Sequence, residues 1–222
     1  QSNLPSTLEV QTGGAEPVHL QRFEHDSLDI EIDGHLNESN WLDVEPFGDF
    51  RVIEPDTGVK PPYSTDVRVL YTERGIYVAV DLEQPQDTIV ERYAPRDSFD
   101  VSRDHVGFTL DTSGDGRYGY WINLSLGNTQ MDGTILPERQ YSREWDGAWY
   151  GATQRTDQGW SAEFYLPWSQ VAMPKQLEER KIGFYISRQV AHLNERWAYP
   201  GLPNTQPRFM SILPKLELDD VD

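Results

Sequence analysis

Asp66-Val67-Arg68-Val69-Leu70-Tyr71-Thr72-Glu73-Arg74-Gly75-Ile76-Tyr77-Val78-Ala79-Val80-Asp81-Leu82 is the stretch that decides the fold. Val67, Val69 and Tyr71 recur at every second position, as do Ile76, Val78, Val80 and Leu82, and Glu73-Arg74-Gly75 stands between the two runs. Successive side chains of a strand point to opposite faces, so a period of two gives each run an apolar side to bury. Two such runs joined by a Gly-bearing turn predict a β-hairpin.

The same alternation returns in Val106, Phe108 and Leu110, in Tyr118, Tyr120, Ile122, Leu124 and Leu126, in Trp160, Ala162, Phe164 and Leu166, and in Ile182, Phe184 and Ile186. Gly and Asp gather in Asp111-Thr112-Ser113-Gly114-Asp115-Gly116 and in Thr156-Asp157-Gln158-Gly159, where turns would link neighbouring strands. Helical periodicity never persists beyond two turns, and Glu38 to Val44 and Pro167 to Ala172 are the candidates for short helices. Many short strands, each with one apolar face, bury those faces by packing one sheet on another. The expected class is an all-β, antiparallel β-sandwich of the immunoglobulin or jelly-roll kind with one or two short helices, and a parallel α/β arrangement is excluded.

The expected organisation is a flexible lead-in over 1–17, a single sandwich over 18–215, and an acidic tail or linker stub over 216–222. The opening Gln1-Ser2-Asn3 is what a processed or trimmed chain would show. Length fits one large all-β domain. Aromatic residues make up 12% of the 222, including seven Trp and eleven Tyr, enough bulky surface for a core. Nineteen Lys and Arg against 37 Asp and Glu give a net charge of -18, which repels phosphate backbones and argues against nucleic acid as a partner. Cysteine is absent, so disulfides and thiolate chemistry are excluded, and the compartment is not legible from bridges.

Several segments in order resemble the family 9 carbohydrate-binding module, a β-sandwich of the DOMON-like group of sugar- and haem-binding domains. Ile32-Asp33-Gly34-His35-Leu36-Asn37-Glu38 with Trp41 is similar to that family's opening signature. Asp66 to Tyr71 with Ile76 to Val80 resembles its hairpin, and Asp104 to Asp111 its next strand. Trp145-Asp146-Gly147-Ala148-Trp149, Gly159-Trp160-Ser161-Ala162-Glu163 and Leu166-Pro167-Trp168 resemble a narrower set of large bacterial proteins, in which such a module precedes a region read as an outer-membrane barrel. The resemblance spans residues 28 to 215. It implies a sugar gripped between two Trp faces, an extracytoplasmic location (periplasmic, outer-membrane-associated or secreted), the barrel of the same parent chain as a partner, and calcium as a structural ion.

On that alignment Trp197 takes the place of one clamping Trp. The other clamp falls near Phe99 to Val101, where no Trp stands, and a polar partner becomes Gly107. Asn123 keeps an amide, while Trp121 replaces a basic hydrogen-bonding residue.

A sugar ring offers apolar C–H faces rimmed by hydroxyls, so its site needs an aromatic plane beside planar donors and acceptors. Trp121, Asn123 and Ser125 alternate to one face of their strand, opposite Ile122 and Leu124; that face serves either a ligand or ordinary outer packing. Trp197 and Tyr199 share another face, with Arg188, Asn194 and Arg196 near in sequence as donors. Trp145 and Trp149 read as core anchors. Asp111 and Asp115 could offer oxygens to calcium, although the run lacks an EF-hand's full spacing, and a plain Asp-Gly turn is the simpler reading.

No Gly-x-Ser-x-Gly elbow, His-Glu-x-x-His pair or Walker loop occurs, and the five His are scattered. The expected function is therefore non-catalytic binding of a mono- or oligosaccharide by Trp197, Tyr199, Trp121, Asn123, Arg188 and Arg196. The alternatives are an interaction domain without a sugar slot, a b-type haem domain ligated through Met131, Met173 or Met210, and, more remotely, a component of a glycoside hydrolase.

Overall fold

The computed structural model describes residues 16–175 and 179–219. Most of the lead-in expected over 1–17 lies outside the described residues. Fourteen strands form two sheets: β1 (Val18–His19), β2 (Gln21–Arg22), β3 (Arg51–Glu54), β4 (Thr65–Tyr71), β5 (Gly75–Glu83), β6 (His105–Asp111), β7 (Gly119–Ser125), β8 (Gln130–Leu136), β9 (Gln140–Ser142), β10 (Tyr150–Thr156), β11 (Gly159–Pro167), β12 (Arg180–Val190), β13 (Glu195–Tyr199) and β14 (Lys215–Leu218). The helix α1 (Ser39–Leu42) and a 3-10 turn at Trp168–Gln170 fall inside the two short helical segments that the sequence predicts.

The smaller sheet runs β10-β11-β5-β4-β2, and its centre is the hairpin of the opening stretch, with Val67 opposite Val80 and Val69 opposite Val78. The larger sheet has nine strands in the order β1-β14-β12-β6-β7-β8-β9, with β13 paired to β12 and β3. Pairing is antiparallel except where β1 meets β14 and β2 meets β4, two parallel additions made by the incoming N-terminal segment. The alternating residues meet between the sheets: Val69, Val78, Val80, Ala162 and Phe164 from one, Val106, Phe108, Ile122, Leu124, Phe184 and Ile186 from the other. Phe108 meets Phe164 edge to face at 5.2 Å. Each buried side chain of this size contributes roughly 1.5–3 kcal/mol relative to exposure.

The C-terminal boundary differs from the sequence reading. Leu216 and Leu218 are buried in β14 against β12, so residues 216–218 close the larger sheet rather than begin a tail. Alternation over Leu216-Glu217-Leu218 is the strand signal, and the acidic residues beside it obscure it.

The outward face of the smaller sheet is covered. Trp41 and Val44 pack on Leu70, Tyr77 and Ala79, with Leu28, Ile30, Ile32 and Leu36 around them. Glu163, fully buried on β11, accepts hydrogen bonds from Gly34 N (2.8 Å), Asp33 N (3.3 Å) and Trp41 Nε1 (3.0 Å). Gly34 sits at φ +89°, and a Cβ there would fall 2.6 Å from the Thr153 carbonyl carbon, so only glycine lets the segment approach this closely. The Ile32-to-Trp41 signature is thus a clasp that seals one side of the sandwich. The outward face of the larger sheet is where a site can form.

Candidate functional site

Strand parity assembles the outward face. Ile122 and Leu124 point into the core, so Trp121 and Asn123 point out. Register then places Thr109 and Gly133 on either side of Trp121, and Gly107 and Met131 on either side of Asn123. On β12 the outward residues Tyr185 and Ser187 lie opposite Thr109 and Gly107. Ser98, Phe99, Val101 and Arg103 of the loop before β6, with Tyr141, Arg143, Arg196 and Asn204, close the surround, and the groove measures about 420 Å³.

Two glycines shape this face of the sheet. A Cβ on Gly133 would come within 2.6 Å of Trp121 Cε2 and Cζ2, so the indole lies directly against the β8 backbone. Gly107 leaves the centre free of a side chain. Phe99 meets Trp121 at 6.2 Å with its ring tilted by 66°, and the Arg143 guanidinium lies 3.8 Å from the Phe99 ring centre. An aromatic corner therefore stands at the end of the groove where the alignment looked for a second clamp.

Polar atoms converge on the same space. Trp121 Nε1, Arg103 Nε and Nη1, and Arg196 Nε are buried with no hydrogen-bond partner among the described residues, and the buried Asn123 Oδ1 and His105 Nδ1 belong to side chains that interact with each other. A buried polar atom without a partner costs about 1–3 kcal/mol, so this set leaves hydrogen-bonding capacity open along one groove. Burial first, and then the Arg196 charge, push His105 down to about 3, so its imidazole is neutral and can offer both a donor and an acceptor. Arg103 is 2% exposed and, among the described residues, donates to the Ser98 carbonyl (2.6 Å) and Met131 Sδ (3.8 Å).

Three of the residues expected from sequence, Trp121, Asn123 and Arg196, come together here. Trp197, Tyr199 and Arg188 do not, and their expected role is corrected by strand parity: in β13 the odd-numbered side chains face the core while Arg196 and Ala198 face out. Trp197 is fully buried, packs on Tyr63 at 5.7 Å and donates to Glu195 Oε2 (2.7 Å). Tyr199 meets Phe47 at 5.6 Å inside the core. Arg188 is a core bolt that donates to Ser64 O (3.1 Å), Thr65 Oγ1 (3.1 Å), Glu83 O (2.8 Å) and Gln84 Oε1 (3.1 Å), 4.8 Å from the Trp197 ring.

Asp111 and Asp115, the carboxylates considered for calcium, are each engaged by groups of the protein. The buried Asp111 accepts from Ser113 Oγ, Gly114 N (3.2 Å) and Gly116 N (2.8 Å), with Lys215 Nζ 3.8 Å away, so it caps its own turn. Asp115 is exposed and paired to Arg117 at 2.8 Å. Trp149 is a core anchor, as the sequence reading has it; it packs on Phe164 and donates to Asp132 Oδ2 (2.9 Å). Of the three Met, Met210 is sealed in a separate cluster, Met173 packs against the main core, and Met131 lines the groove.

Sequence reasoning missed Arg103, His105, Tyr185, Arg143 and Tyr141. His105 and Tyr185 carry a signal: once Val106, Phe108 and Ile186 are assigned inward, their odd-numbered neighbours must face out. Arg103 and Arg143 lie outside the strands, where no periodicity marks them.

Comparison with solved structures places this architecture. A family 9 carbohydrate-binding module from Caldicellulosiruptor kristjanssonii in complex with cellotriose superposes with a TM-score of 0.63 and 13% identity, over 92% of this chain and 94% of that one. The family 9 module from the same organism in complex with glucose gives 0.62 and 13%, over 92% and 96%. A Bacteroides uniformis protein assigned as a candidate carbohydrate-binding protein gives 0.64 and 14%, over 92% and 99%. No protein-family model and no curated sequence matches the chain. The chain has the fold of family 9 carbohydrate-binding modules, and identities this low establish the fold alone.

Proposed function

We propose that the protein binds a saccharide in the groove on the outward face of its larger sheet, with Trp121 as the aromatic plane. The observation that carries this reading is the convergence of unpartnered Trp121 Nε1, Arg103 Nε and Nη1, and Arg196 Nε, with Asn123 and His105 beside them, on one groove of about 420 Å³. Ring hydroxyls are donors and acceptors at once and match such a mixed set, while the half-buried indole meets the apolar face of a sugar ring. A fold shared with modules solved holding cellotriose and glucose supports the same conclusion.

The role is binding rather than catalysis. The residues lining the groove include no Asp or Glu, so the groove lacks the carboxylate pair that glycoside hydrolysis ordinarily uses. A glycan array spanning neutral, amino and acidic oligosaccharides, read for the native protein and for Trp121→Ala, tests the proposal. Binding to at least one class, lost in Trp121→Ala while the thermal melt stays cooperative, supports it. Silence across the array, or a bound class untouched by the substitution, overturns it.

A further inference from the structure

The groove is electrostatically unlike the protein around it. The chain has 37 acidic and 19 basic residues, yet the residues lining the groove include Arg103, Arg143 and Arg196 and no carboxylate. The three arginines also differ in what holds them. Arg196 has Glu54 at 3.7 Å as a counterion, and Arg143 stacks on Phe99. Arg103 is fully buried, has no ion pair among the described residues, and leaves Nε and Nη1 without partners. Within the same fold the buried Arg188 has both terminal nitrogens bonded, through four hydrogen bonds to protein acceptors, and leaves Nε alone without a partner.

A buried charge without a partner is among the costliest features a protein can hold, and an incoming anion removes that cost on binding. Arg103, His105 and Arg196 line the same groove, and the charges of both arginines disfavour protonation of the imidazole. A planar guanidinium presents parallel N–H groups that match two oxygens of a carboxylate or sulfate. Fixed positive charge in a recess also concentrates anions from a solution that an acidic surface would otherwise repel.

Resting on the saccharide-binding reading above, we infer that the ligand is an anionic saccharide, with its acidic group seated on Arg103 beside Arg196 and its ring laid against Trp121. The acidic group is a carboxylate of a uronic acid or a sulfate ester, the two sources of this chemistry among sugars. Asn123 and neutral His105 are left for ring hydroxyls, which need partners that both donate and accept.

The test is titration calorimetry of the whole chain with matched ligands: a trigalacturonide, its methyl ester, the neutral galactotriose, and a sulfated galactan trisaccharide. The free acid is expected to bind at least about tenfold more tightly than its ester, a difference of ~1.4 kcal/mol. That preference is expected to shrink several-fold between 50 and 500 mM salt, roughly as the Debye length falls from above 10 Å to below 5 Å. Arg103→Gln is expected to bring the acid-to-ester ratio close to one, and Arg103→Lys to restore part of it. Thermal melts of both variants establish that they are folded, and the salt series on the native protein decides the matter independently of them.

A response from the uronide or the sulfated sugar alone supports the inference and names the source of the acidic group. Equal affinity for acid, ester and neutral sugar, or preference for the neutral one, overturns the inference and leaves saccharide binding standing. Binding of none of the four, where the array finds no other glycan either, overturns both.

Discussion

Replacing Trp197 by Ala separates the face that the sequence favoured from the face that the structure provides. The indole is fully buried between Tyr63 and the Arg188 guanidinium and anchored by Nε1 to Glu195. Deleting a buried Trp side chain costs roughly 3–5 kcal/mol in lost transfer and cavity formation. Loss of a desolvated guanidinium–indole contact adds about 1–2 kcal/mol. For a domain of this size each kcal/mol moves the melting midpoint by roughly 2–4 °C, so the variant is expected to melt roughly 8–28 °C below the native protein. Differential scanning calorimetry reads that shift. Titration at a temperature where the variant is still folded is expected to give an affinity for the array's best ligand within about threefold of native, because Trp197 sits on the opposite side of β13 from Arg196. A Trp197→Ala protein that melts within a few degrees of native but no longer binds would refute this and restore position 197 to the site.

Burial pushes the Glu163 carboxyl up to about 7, against the favourable hydrogen bonds from Trp41 and Gly34. Its folded value lies above its unfolded one of about 4.5, so the stability tied to its proton, up to ~3 kcal/mol, is present below pH 4.5 and lost as pH climbs to 7. Glu163→Gln should therefore flatten the fall in melting temperature between pH 5 and 7.5 relative to native, and an unchanged slope in the variant contradicts the assignment. Asp111→Ala removes the acceptor for two backbone N–H groups and Ser113, and is expected to cost roughly 2–3 kcal/mol. Because that carboxylate holds a turn, the loss should be the same in excess calcium and in chelator; a cost seen only with calcium present would return Asp111 to a metal site.

The sandwich was legible because period-two alternation is a direct record of which side chains are buried. Val67 to Leu82, Val106 to Leu110 and Ile182 to Ile186 all resolve into the core on that pattern alone. The residues of the candidate groove were legible in part. Trp121 and Asn123 followed from the same alternation, since an outward face is the complement of an inward one. The error at Trp197 has a specific cause: in Glu195-Arg196-Trp197-Ala198-Tyr199 both faces hold large amphipathic groups, so the strand carries no clean polarity to say which face is buried. The aromatic residues of that pair turned inward and the Arg outward, the reverse of a stacking platform. Arg103 was out of reach for a different reason. It is brought to the groove by the connection between β5 and β6, and its burial depends on Ser98 and Met131, partners that no local pattern couples to it.

The central claim, that the outward face of the larger sheet receives a sugar at Trp121, is tested most directly by a crystal structure grown with the tightest ligand from the array. The account predicts electron density for a pyranose ring lying along the Trp121 indole, with hydrogen bonds to Asn123 and His105 and an acidic group against Arg103. Sugar density on any other face, with this groove unchanged, would contradict it.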